Sequence, residues 1–118
     1  MMDVDQFRTD PDLRRFADGE TIFAIESGDE EMYVVVEGQV DLIRYGRHLE
    51  RVEAGGFFGE MALLEHQPRT ATAVAVGPTK LARIDRARFD ALIHRSTDFA
   101  IEIMTRMAHR LRVTNAAL

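Results

Sequence analysis

From Glu20 to Ile84 the chain is cut into short apolar pieces by Gly28, Gly38, Gly46, Gly55, Gly56, Gly59 and Gly77, and this punctuation limits the fold more than any other feature. The pieces are Glu20–Ile25, Met32–Val36, Val40–Arg44, His48–Val52, Thr70–Val76 and Thr79–Ile84, and they are rich in β-branched and aromatic side chains. Runs this short read as strands. Connections this tight leave no room for crossover helices, so an antiparallel roll or barrel is expected rather than a parallel sheet.

The two ends of the chain read differently. Residues 3–17 carry Val4, Phe7, Leu13 and Phe16 around Pro11, the pattern of one or two short helical turns packed on something larger. Asp85 can cap a helix carrying Ala87, Phe89, Leu92 and Ile93 on one side, and His94-Arg95-Ser96-Thr97 breaks it. A second helix, capped by Ser96 or Thr97, then runs to the end. Its first half is apolar over a wide arc (Phe99, Ala100, Ile101, Ile103, Met104, Met107), as suits a helix lying on its own barrel. Further along, Ala100, Met104, Met107, Leu111, Thr114 and Leu118 alternate in steps of four and three, so residues 100–118 offer a seam for a homodimer.

Composition removes several function classes. The 118 residues contain no cysteine, which excludes disulfides, thiolate metal sites and cysteine nucleophiles. The four histidines (His48, His66, His94, His109) lie in separate elements without ligand spacing, so neither a metal site nor a cofactor is expected. A net charge of −5 argues against general attraction to nucleic acid. No apolar run approaches the roughly 18 residues of a membrane span, and the acidic, polar start is unlike a secretion signal, so a soluble cytoplasmic protein is expected. No nucleophile–base pair or paired carboxylate stands out, and a non-enzymatic role is the expectation.

Against that background Gly55–Ala73, GGFFGEMALLEHQPRTATA, is unusual. Gly59 stands directly before Glu60-Met61-Ala62-Leu63-Leu64, a turn or so of helix whose N–H groups can face an anion. Arg69 follows, fixed by Pro68 and flanked by Thr70. Taken singly, a Gly-Glu is a turn and an arginine in a proline-containing loop is a surface ion pair. Together, two opposite charges in an otherwise core-forming stretch suggest a phosphate-sized site, or else a pair that neutralises itself.

The run Phe58-Gly59-Glu60-Met61-Ala62-Leu63-Leu64, followed by Pro68-Arg69-Thr70-Ala71-Thr72, closely resembles the phosphate-binding cassette of the cyclic-nucleotide-binding domain family. Gly28-Asp29, Tyr33 and Gly38 also sit where that family has them, and Arg106–Thr114 resembles the long helix of its catabolite activator branch. The resemblance implies one domain over residues 1–118. A helical segment at 1–17 would precede an eight-stranded antiparallel β-roll of jelly-roll type at 20–84, with its cassette at 58–72; a C-terminal hinge and lid helix would fill 85–118.

By the same resemblance, the ligand is a 3′,5′-cyclic nucleotide. Arg69 pairs with the cyclic phosphate, Glu60 accepts the ribose 2′-hydroxyl, and Thr70 donates to phosphate or base. Phe58 and Gly59 open the ligand-contacting stretch, and the N–H groups of Glu60-Met61-Ala62 and Thr70-Ala71 complete the cradle. Thr114 faces the purine edge, and Asn115, where that branch usually has serine, reaches the partner subunit's base. Thr114 favours cAMP, whereas Thr70 is compatible with cGMP, one hydroxyl being worth about 1 kcal/mol. A ligand-free interaction module of the same fold stays open. The signal would leave through the last helix toward a downstream effector; no room is left before Leu118 for a helix-turn-helix, so direct DNA binding by these residues is not expected.

Overall fold

The computed structural model describes residues 3–117, with side chains described for 3–112. In chain order the elements are α1 (Asp5–Arg8), β1 (Arg14–Phe16), β2 (Thr21–Phe23), β3 (Met32–Arg44), β4 (Arg47–Glu53), β5 (Phe57–Phe58), α2 (Glu60–Glu65), β6 (Thr72–Ile84), α3 (Arg86–Arg95) and α4 (Thr97–Ala117). Strands β3 and β6, 13 residues each, pair antiparallel as a spine. Strands β4 and β5 hang on opposite halves of β3, and β1 and β2 on opposite halves of β6. Every pairing is antiparallel, as the glycine spacing predicts.

The sheet has six strands rather than eight. Gly38 and Gly77, each read from sequence as a turn, are irregularities within continuous strands: both take positive φ, +91° and +70°, and the β3–β6 register slips between Val35 and Gln39. A β-bulge keeps the ladder while adding a residue, so glycine there bends a strand without ending it. A Cβ on Gly38 would lie 2.5 Å from the Pro78 carbonyl oxygen, so the two bulges nest where only glycine fits. Before the bulge, Tyr33 and Val35 face the inside of the roll; after it, Val40 and Leu42 do. Odd positions have become even ones.

The N-terminal segment forms one expected helical turn and departs from expectation after it. Only Asp5–Arg8 is helical, and Arg14–Phe16 is a strand pairing with Thr79–Leu81. The edge of β6 offered unpaired backbone groups there, and that outweighed the helical spacing of the apolar residues. Phe7 is still fully buried. It joins Met32, Val34, Ile84, Phe89, Leu92, Phe99 and Ile103 in a cluster between the sheet and the helices, and a second cluster around Phe23, Tyr33, Val40 and Phe58 fills the roll.

Asp85 caps α3 by accepting the Arg88 N–H at 2.8 Å, and Ser96 caps α4 by accepting from Phe99 at 3.1 Å. The arc by which α4 meets the barrel is narrower than its sequence suggests. Phe99 and Ile103 are buried, whereas Ile101, Met104, Met107 and Leu111 stand exposed. No helix among the described residues is long and apolar enough to cross a membrane.

Candidate ligand-binding site

The stretch between β5 and β6 folds back on itself because two residues adopt left-handed backbone. Gly59 at φ +84° starts α2 and His66 at φ +55° ends it, so Pro68 and Arg69 return toward the point where the helix began. The backbone of Arg69 is then tied to the loop after β2: its N–H donates to the Ser27 carbonyl at 3.0 Å and its carbonyl accepts the Glu26 N–H at 2.7 Å.

Arg69 is only 3% exposed. Its Nη1 donates to the Gly59 carbonyl at 2.9 Å, and its Nη2 donates to the Asp29 carboxylate at 2.6 Å and to the Glu31 carbonyl. The guanidinium lies 4.0 Å from the Phe23 ring centre, a cation–π contact in a desolvated place. A Cβ on Gly59 would stand 2.7 Å from Nη1, so glycine at 59 is required twice, by its φ and by the approach of the arginine. Burial pushes the Asp29 carboxyl up, but hydrogen bonds from Arg69 and Ser27, with the charge of Arg69, outweigh it and leave its pKa below the ordinary value.

Glu60 is fully buried on the first residue of α2. An isolated carboxylate there would be costly, and Arg110 from α4 supplies the compensating charge at its Oε1. Arg110 also comes within 3.7 Å of Glu50, which Arg106 pairs with as well. Two turns of α4 are thus fastened to β4 and α2. Glu60 and Arg69 do not neutralise each other, and each keeps one buried polar atom without a partner among the described residues, Oε2 and Nε respectively.

Both side chains border one cavity of about 720 Å³. That lies within the roughly 300–1,000 Å³ usual for small-molecule sites. The structure brings Gly59, Glu60, Met61, Ala62, Arg69, Thr70 and Ala71 together on its wall. It places Phe58 elsewhere, fully buried and stacked on Tyr33 at 5.5 Å, with Phe23 at 5.8 Å. Phe58 therefore supports Phe23, which in turn faces Arg69. The side chains of Thr114 and Asn115 lie outside the described residues.

Sequence reasoning gave no role to Phe23, Glu26, Arg44, Tyr45 and Arg110, which also line the cavity, or to Asp29, which holds the arginine. Gly28-Asp29 and the run containing Arg110 were marked by the family resemblance without a role, and Ser27-Gly28-Asp29 otherwise reads as an ordinary turn. No group of three or more potential metal ligands is found among the described residues.

Residues 13–96 match the sequence profile of the family described as cyclic nucleotide-binding domain. Among curated proteins, the cAMP-dependent protein kinase regulatory subunit of Dictyostelium discoideum is 35% identical over 85 residues, which is 65% of this chain and 26% of that protein. Among solved structures, the Thermus thermophilus catabolite activator protein superposes with a TM-score of 0.80 at 34% identity, covering 89% of this chain and 52% of that one. A protein from a cyclic-GMP-dependent signalling pathway that regulates bacterial phytopathogenesis aligns with a TM-score of 0.71 at 30% identity, over 87% of this chain and 84% of that one. The chain thus spans about a quarter to a half of the kinase subunit and the activator protein. With the profile extending over most of its length and two opposite charges buried beside one cavity, the chain belongs to the cyclic nucleotide-binding domain family.

Proposed function

We propose that the chain is a non-enzymatic cytoplasmic receptor for a 3′,5′-cyclic purine nucleotide, with cAMP the first ligand to consider and cGMP the second. The observation that carries this reading is the pair Glu60 and Arg69, both buried on one cavity wall and each with one buried polar atom that has no partner among the described residues. A monoanionic cyclic phosphate suits Arg69, whose charge Asp29 only partly offsets at its half-open position. Glu60 keeps Oε2 for a ribose hydroxyl while Arg110 holds Oε1. The kinase regulatory subunit and the resemblance of Thr114 speak for cAMP.

Transmission follows from the lid. Because Arg110 shares Glu60 with the site, a ligand that repositions Glu60 alters how α4 is fastened, and the two arrangements shift in population. The exposed Met104, Met107 and Leu111 give α4 an apolar seam for a second copy or an effector.

The reading is checked by thermal melting with cAMP, cGMP, 2′-deoxy-cAMP and 5′-AMP. A cyclic nucleotide at about 100 times its Kd adds about 2.7 kcal/mol and raises Tm by several degrees. The 2′-deoxy analogue, which leaves Glu60 without its hydroxyl, should need at least about tenfold more ligand for the same shift. No shift with cAMP or cGMP defeats the proposal.

A further inference from the structure

Among the described residues only Glu26, Tyr45 and His66 hold positive φ without being glycine, at +71°, +48° and +55°. Glu26 and Tyr45 line the cavity, and His66 sits between its lining residues Glu65 and Gln67. Non-glycine residues in this region are strained, and such strain gathers where side chains must be aimed. Tyr45-Gly46 is the two-residue turn between β3 and β4, where asparagine or glycine would be the easy choice for the first position. Instead the turn projects a tyrosine ring that is 73% exposed at the cavity edge.

Three chemistries meet at that edge. The Tyr45 hydroxyl donates to Glu26 Oε1 at 3.1 Å, and the Arg44 guanidinium lies 5.8 Å from the Tyr45 ring centre. Arg44 has no carboxylate partner among the described residues. It follows Leu42 on the same side of β3, which carries the cavity wall out from the apolar interior to this rim.

We propose that Glu26, Arg44 and Tyr45 form the base-reading end of the cavity and that their chemistry favours guanine. This inference rests on the cyclic-nucleotide reading above. A purine face stacks on the tyrosine ring. The guanine edge then presents two acceptors, O6 and N7, to the donor-only guanidinium, and two donors, N1–H and the 2-amino group, to the acceptor-only carboxylate. Adenine lacks O6 and the 2-amino group and carries an acceptor at N1, so it satisfies neither partner fully. The Glu26–Tyr45 hydrogen bond keeps the two side chains in place before a ligand arrives.

The test is calorimetric titration of the intact protein with cAMP and cGMP, in the wild type and in Tyr45→Gly, Glu26→Gln and Arg44→Gln, alongside melting curves. Glu26→Gln and Arg44→Gln should each weaken cGMP by about 5- to 100-fold while changing cAMP by less than about threefold. Tyr45→Gly should weaken both nucleotides about tenfold yet melt no lower than the wild type, because φ +48° suits glycine. A purely structural role for Tyr45 predicts the reverse. An unchanged cGMP-to-cAMP affinity ratio in both polar variants, Tyr45→Gly with both affinities intact, or a wild type that takes cAMP and rejects cGMP overturns this inference and leaves the receptor reading standing. A wild type that binds neither nucleotide removes both.

Discussion

Glu60 and Arg69 carry opposite charge on one cavity wall, yet each is held by something other than its neighbour. Arg69 is enclosed by Asp29 and two carbonyls, and Glu60 is held by Arg110. Two separate countercharges keep the groups apart, which a single ion pair between them would not allow. Gly59 makes the arrangement possible. Gly59→Ala forces an L side chain to φ +84° and into the guanidinium, and is expected to lower stability by about 1–3 kcal/mol and to weaken nucleotide binding, both readable from urea melts with and without cAMP. The residues Gly59, Glu60 and Arg69 were legible because they are close in sequence and form a motif. Their partners were not, since Asp29 is 40 residues from Arg69 and Arg110 is 50 from Glu60, and no local pattern marks such pairings.

At the scale of elements, the glycines carried two meanings that sequence alone did not separate. Gly46 lies in a turn between strands, whereas Gly38 and Gly77 bend strands that continue. The difference is tertiary: Gly38 packs against Pro78 and Thr79 on the facing strand, where the Thr79 hydroxyl is within hydrogen-bond distance of the Gln39 carbonyl at 3.1 Å. Gly38→Ala should therefore cost about 2 kcal/mol or more, from φ +91° and a clash with backbone that cannot move aside. Chemical denaturation checks this; a loss under about 0.5 kcal/mol would show that the nested bulges are dispensable. The capped helices were legible from Asp85 and Ser96. The strand at Arg14–Phe16 was not, because its reason for being extended lies in the free edge of β6.

At the scale of the whole molecule, α4 touches the core, β4 and α2 at once. Phe99 and Ile103 root the helix in the core, and Arg106 and Arg110 fasten its later turns to β4 and α2, beside the cavity that Arg69 borders. A ligand that meets both Glu60 and Arg69 would act on the cassette and on the lid together. The antiparallel roll and the cassette were written in glycine spacing and in one motif. The reach of α4 back onto Glu60 emerges only when the chain is folded. Isothermal titration of cAMP into the wild type and into Arg69→Ala asks whether Arg69 holds the cyclic phosphate. One nucleotide should bind per chain and, in a variant that still unfolds cooperatively, the loss should be about 2–5 kcal/mol, a factor of tens to thousands in Kd. Near-normal affinity in Arg69→Ala would show that Arg69 is not the phosphate ligand.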